Sequence, residues 1–172
     1  MSASKARAAV LPRSLVVRRA SVRDLDAIDR IEQRAFVRDR FPRRNLRRVL
    51  KSPASVFLIA ELDGAPAGYL MLLFRKRASV ARLYSIAVDP EFRGRGAGES
   101  LLSEAAIAAI VRGADRLRLE FRPSNLSAQR LYERAGFTLL ERRPAYYDDG
   151  EDAIRMEKRL TPQATGDRSA HA

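Results

Sequence analysis

The sequence contains no cysteine and no tryptophan, and its single histidine, His171, is the next-to-last residue. Without cysteine there can be no disulfide, no thiolate metal ligand and no cysteine nucleophile, and the chain suits a reducing compartment. A lone histidine in a polar tail provides for neither a histidine-based triad nor a histidine metal centre, so no metal is expected. No apolar run approaches the ~18 residues of a membrane span. The opening MSASKARAAVLPRS lacks the apolar core of a signal peptide. The expected location is therefore the cytoplasm, with no membrane partner. Lysine is scarce as well. Only Lys5, Lys51, Lys76 and Lys158 are lysines among 33 basic residues, and the formal charge is +12. Such an arginine bias reads as genomic base composition. No basic tract with interleaved aromatics of the single-strand-binding kind is present, so nucleic acid is not an expected partner.

The 172 residues are enough for one domain with a real core. Residues 1–13 and 161–172 read as disordered tails, and 14–160 as the folded unit. The organising stretch is Leu83–Leu102, LYSIAVDPEFRGRGAGESLL. Leu83, Tyr84, Ile86 and Val88 make it begin as a strand. Asp89-Pro90 stops the ladder, because proline has no N–H to donate. Gly94, Gly96 and Gly98 follow, and then Leu101, Leu102, Ala105, Ala106, Ala109 and Ile110 recur at helical spacing. A glycine-rich loop between a strand and a helix start brings free backbone N–H groups and the positive end of the helix dipole to one place, a design suited to phosphate. A P-loop is excluded because no Gly-Lys-Ser/Thr is present. A dinucleotide fingerprint opened at Gly94 fails, because Glu99 occupies its third small position.

Patterning along the rest of the chain predicts β-α-α-β-β-β-α-β-α-β-β. Ser21-Val-Arg-Asp24 reads as a capping box ahead of a helix with the apolar stripe Leu25, Ile28, Ile31, Ala35 and Phe36. Asp63-Gly64 marks a hairpin between Val56–Leu62 and Ala67–Phe74. Arg116–Phe121 is a strand, Pro123-Ser124-Asn125 caps a helix running to Ala135, and Phe137–Arg142 and Ala153–Leu160 close the fold.

Arg93-x-x-Gly96-x-Gly98 between strand and helix resembles the acyl-CoA pyrophosphate loop of the GNAT superfamily of N-acetyltransferases. The element order is similar to that family's over residues 15–160. LEFRPSNLSAQRLYERAGF resembles the family's later strand–helix segment, and YYDDGEDA resembles the C-terminal signature of its ribosomal-protein-alanine N-acetyltransferase branch. The resemblance implies an α/β fold with a mixed, mostly antiparallel sheet of six to seven strands flanked by about four helices. It implies acetyl-CoA as cosubstrate and a primary amine as acceptor, most simply a peptide or protein N-terminus such as that of a ribosomal protein. Ile86, Ala87 and Val88 would contact the acetyl and pantetheine groups, with the Val88 N–H as oxyanion donor. Arg93, Gly94, Arg95, Gly96, Ala97, Gly98 and Glu99 would hold the pyrophosphate, and Asn125 the pantetheine arm.

Acetyl transfer from a thioester to an amine needs a base, an oxyanion donor and an acid for the departing thiolate. By alternation alone Glu120 lies on the polar face of RLRLEF, between arginines, and reads as a solvated carboxylate. The resemblance implies instead that it is the general base, acting through a water. By periodicity Tyr132 reads as a core residue, and the resemblance implies the general acid. Two departures stand out. Glu99 puts a carboxylate at the helix start, and FVRDRFPRR lacks the Pro-Trp-Ser of the branch near the acceptor site. Asp148, Asp149, Glu151 and Asp152 read either as a solvated turn or as carboxylates that steer a cationic acceptor. An acetyltransferase for lysine or small amines, and a non-catalytic acyl-CoA-binding or ribosome-associated protein, remain as alternatives.

Overall fold

The computed structural model describes residues 14–161, and the predicted tails lie outside them apart from Thr161. Seven strands form one sheet in the order β1-β2-β3-β4-β5-β7-β6. The strands are β1 (Leu15–Arg19), β2 (Ser55–Leu62), β3 (Ala65–Phe74), β4 (Val80–Val88), β5 (Arg116–Phe121), β6 (Thr138–Arg143) and β7 (Ala153–Arg159). The helices are α1 (Leu25–Ala35), α2 (Arg43–Leu50), α3 (Ala97–Val111) and α4 (Leu126–Arg134). The predicted order and the mixed, mostly antiparallel sheet are therefore present, with element ends shifted by a residue or two. One refinement concerns Ser21, whose capping box closes a 3-10 turn, Val22–Asp24, that feeds α1.

Strand alternation divides the core into two layers. Val56, Leu58 and Ala60 of β2 pack toward α3, where Leu101, Leu102, Ala105 and Ala109 are buried. Phe57 and Ile59 turn to the other face, against Ile28 and Ile31 of α1 and Leu46 of α2. Gly68 of β3 permits the close approach of α3. A Cβ there would stand 2.8 Å from the Ala87 carbonyl oxygen and 3.3 Å from a Leu101 methyl.

The feature that makes a site is the junction of β4 and β5. They pair in parallel only at Val80, Ala81 and Arg82, against Arg116, Leu117 and Arg118. Beyond Arg82 the two strands part. The β3–β4 ladder shifts between Met71 and Leu72, which pair with Ser85 and Leu83, so Tyr84 is the extra residue of a bulge at the point of divergence.

Candidate active site

The V between the strands is a cleft of about 1120 Å³. Its lining brings together residues far apart in sequence: Glu32 of α1, Phe36–Asp39 and Phe41 ahead of α2, β4 from Arg82 onward, the glycine loop, Glu120, Asn125, Tyr132, Tyr146 and Tyr147. All the candidate site residues line it except Arg95, whose guanidinium lies 5.8 Å from the centre of the Phe92 ring.

Backbone geometry furnishes one wall. The Asp89 N–H donates to the Ala67 oxygen at 2.8 Å. The alternation of an antiparallel ladder then turns the N–H and C=O groups of Val88 and Ile86 away from β3 and into the cleft. The Val88 oxygen accepts from Arg93 Nε at 3.4 Å, which leaves the Val88 N–H facing the opening. At the end of β4, Asp89 caps a short turn by accepting from the Glu91 N–H, and Arg34 of α1 pairs with it at 3.3 Å.

The loop that follows is shaped by two left-handed residues, Gly94 (φ +72°) and Gly96 (φ +86°), a conformation costly for any residue with a Cβ. Ser100 is the first residue of α3 to bond back, to the Gly96 oxygen at 3.0 Å. The amides of Ala97, Gly98 and Glu99 are thereby left without helical acceptors, at the positive end of a 15-residue helix. Gly98 packs closely on α4: a Cβ there would stand 3.2 Å from a Leu131 methyl, which would have to shift by a few tenths of an ångström. Glu99 does not face the amides unpaired; Arg134 holds it at 3.1 Å. Asn125 caps α4 through its side-chain oxygen on the Ala128 N–H, which frees its amide N–H₂ toward the cleft. Converging free amides, a glycine cradle and a narrow slot between β4 and β5 fit the pyrophosphate and the peptide-like arm of an acyl-CoA.

Glu120 is set deeper than its polar alternation suggests. Its side chain is 7% exposed, and Arg155 clamps one oxygen through Nε (3.0 Å) and Nη2 (2.8 Å). Arg82 reaches the other oxygen at 3.2 Å. Glu120 stands directly opposite Arg155 in the β5–β7 register, a relation that neither strand reveals by itself. Arg82 also donates to the Tyr146 hydroxyl, and its Nε is buried without a partner among the described residues. Tyr132 is buried, with its ring tilted against Phe121 (5.4 Å) and edge-on to Phe137 (5.9 Å). Among the described residues its hydroxyl has no hydrogen-bond partner. Burial, helped by the neighbouring Tyr147, pushes its pKa well above the ordinary phenol value.

Two features escaped the sequence reading. Glu32 interrupts the apolar stripe of α1 and is only 2% exposed. It accepts hydrogen bonds from the Tyr69 hydroxyl and, at 2.5 Å, from the Phe41 N–H. Tyr69 also meets the Ser85 hydroxyl at 3.0 Å, so this network fastens the segment before α2 to β4. Burial pushes the Glu32 carboxyl up. A carboxylate at position 32 on an otherwise apolar stripe was the available signal. The second feature is Arg122, which bonds Asp39 at 2.7 Å, Asp149 at 2.9 Å and Glu151 at 2.8 Å, above the Tyr147 ring. Asp152 pairs with Arg142 and caps the Ala145 N–H. Three of the four acidic-loop carboxylates are thus fasteners that join the β6–β7 loop to its surroundings. This departs from the expectation that they steer a cationic acceptor, and Asp148 alone keeps that option.

Among the described residues no helix is long and apolar enough to cross a membrane. The profile of the acetyltransferase (GNAT) family matches residues 25–137. An uncharacterized N-acetyltransferase of Methanocaldococcus jannaschii is 35% identical over 153 residues, 88% of this chain and 96% of its own length. An N-alpha-acetyltransferase of Sulfurisphaera tokodaii is 33% identical over 152 residues, 81% of this chain and 90% of its own. The crystal structure of the ribosomal-protein-S18-alanine N-acetyltransferase from Escherichia coli superposes with a TM-score of 0.77 at 29% identity, covering 89% of this chain and 98% of that one. With family profile, relatives and fold in agreement, the chain belongs to the acetyltransferase (GNAT) family and is an acetyl-CoA-dependent N-acetyltransferase.

Proposed function

We propose that the acceptor is the α-amine of a protein N-terminus, with Glu120 as general base and Tyr132 as general acid in direct transfer. Acetyl-CoA supplies a thioester whose carbonyl carbon the amine attacks. The chain's task is to orient the amine, accept its proton, hold the oxyanion and protonate the sulfur. An α-amine has a pKa near ~8 and is largely protonated at neutral pH, so it must lose a proton first. Glu120, held by Arg82 and Arg155, is fixed but crowded, which favours collection of that proton through a water. The Val88 N–H, turned into the cleft by the β3–β4 register, is the donor for the oxyanion.

The observation that carries the reading is Tyr132, a largely buried residue whose hydroxyl stands on the cleft wall with no partner among the described residues and stays protonated in its surroundings. The N-terminal acceptor draws support from the relatives, one an N-alpha-acetyltransferase and one acting on the alanine of ribosomal protein S18. A ribosomal protein is the corresponding acceptor for this chain.

The test is free-thiol release from acetyl-CoA across a panel of peptides with free or blocked N-termini, with mass spectrometry to place the acetyl group. Acetylation of free α-amines, and a fall in kcat of ~10²–10⁴ for Glu120→Gln with acetyl-CoA binding retained, are expected. Modification of lysine side chains on N-blocked peptides at equal rates would overturn the acceptor assignment.

A further inference from the structure

A second cleft, of about 620 Å³, lies at the opposite end of β4 from the glycine loop. The nine residues of β4 separate the two by roughly 25 Å. Pro53, Ala54 and the β3–β4 turn line it, with Arg75, Lys76, Arg77 and Arg112 projecting around it and no carboxylate in the lining. Placement distinguishes these residues from the general arginine excess. The arginines around the catalytic cleft and the acidic loop are largely spent in ion pairs, whereas Arg75, Lys76, Arg77 and Arg112 make none among the described residues. Asp115, on the loop after α3, is taken by Arg116 at 3.2 Å.

Three further details bear on what would sit there. Arg77 adopts φ +61°, a backbone state in which glycine is the easy residue, so the turn carries a cation where its own geometry favours none. Arg112 is held by a bond from Nη1 to the Pro53 oxygen at 2.7 Å and lies 5.0 Å from the centre of the Phe74 ring. The guanidinium is thereby held in place over the half-buried Phe74 ring. The last carbonyls of α3, at Ala108, Ala109 and Ile110, are capped by the amides of Arg112, Gly113 and Ala114, so the negative end of the helix offers little competition for these cations.

Unpaired cations of two kinds, a fixed guanidinium plane and no acid suit phosphates along a chain with an exposed base to stack. Against the expectation from composition that nucleic acid is no partner, we propose that this cleft docks the phosphate backbone of single-stranded RNA, away from the catalytic cleft. The inference stands whether or not the acceptor is a protein N-terminus.

The experiment is fluorescence anisotropy of a labelled oligouridine titrated with the full chain at several salt concentrations. The variant replaces the exposed turn, Arg75→Ser, Lys76→Ser and Arg77→Ser. Loss of three phosphate contacts should weaken binding about tenfold or more at low salt and reduce the slope of log K against log salt by about 2. Acetylation of a free peptide, followed by thiol release, should be unchanged, which separates failure here from failure of the proposed reaction. A control variant, Arg19→Ser, Arg23→Ser and Arg30→Ser, removes the same charge elsewhere and should retain affinity and slope. Equal loss in the control would mean diffuse charge and overturn the site. Displacement of the RNA by polyglutamate at equal charge concentration would make an acidic protein the partner, and would overturn the assignment to RNA.

Discussion

Replacing Tyr132 by phenylalanine separates chemistry from folding, because the structure assigns the ring and the hydroxyl to different tasks. The ring packs between Phe121 and Phe137 and belongs to the core on the α3 side of the sheet. The hydroxyl touches no described polar group and lies on the wall of the open cleft, so it contributes no protein hydrogen bond to the fold. Phenylalanine keeps the packing and breaks no such bond. The variant should therefore melt close to the wild-type temperature. If the hydroxyl protonates the departing sulfur, kcat should nevertheless fall ~10²–10⁴-fold, equivalent to about 2.7–5.5 kcal/mol of lost transition-state stabilisation. The affinity for CoA, read by calorimetry, should change little. The pH profile supplies an independent check. Burial raises the phenol above its ordinary value near ~10, so the protonated form persists as pH rises, and wild-type kcat should show no descending limb below about pH 10 from this group. A Tyr132→Phe enzyme with wild-type kcat would refute the assignment, and one that melts well below wild type would show that the hydroxyl has a structural partner.

Gly96→Ala forces a Cβ into φ +86°, at a cost of about 1–2 kcal/mol, and tilts the first amides of α3; stabilisation of the fold by CoA in thermal melts should be largely lost. Glu32→Gln can still accept from the Phe41 N–H, while its N–H₂ donates to the Tyr69 hydroxyl, which turns its own hydrogen to Ser85; the side chain cannot ionise. The folded-state pKa of Glu32 is raised, so wild-type stability falls as pH climbs from the ordinary carboxylate value near ~4.3 through that higher value. The melting temperature of the variant relative to wild type should therefore rise over the same window, and a constant difference would mean that Glu32 is already ionised throughout. Arg122→Gln releases Asp39, Asp149 and Glu151 together; it should raise KM for the acceptor peptide roughly ten- to a hundredfold while leaving KM for acetyl-CoA nearly unchanged, as steady-state kinetics would show.

Local signals in the sequence were sufficient for the architecture. The stop at Asp89-Pro90, the glycine loop, the Asp63-Gly64 hairpin and the Asn125 cap all act within a few residues, and each is present in the structure. What stayed hidden was pairing between distant strands. Glu120 looks solvated in RLRLEF because its neighbours in sequence are Arg118 and Arg122, whereas Arg155, across the β5–β7 register, takes it out of solvent. The acidic loop misled for the same reason. Four carboxylates within five positions read as free charge until Arg122 and Arg142, from other elements, take three of them. Gly68 carried no motif at all; its requirement appears only when the Ala87 oxygen and Leu101 close on it.

The three residue pairs that join β4 to β5 also divide the sheet mechanically. Strands β1–β4 form one leaf and β5–β7 the other, with their backbone join confined to the end at Val80–Arg82. The side-chain links from Arg82 to Glu120 and Tyr146 sit just past that join, as latches beside a hinge. Beyond them, a molecule that takes hydrogen bonds from Ile86 and Val88 on one leaf and packs against α4 beside the other would bridge the two. Its binding energy would then also set the angle between the leaves. Hydrogen exchange at Ile86 and Val88 would register that bridging, and slowing that extends to β5 and β7 would report the leaves moving as one.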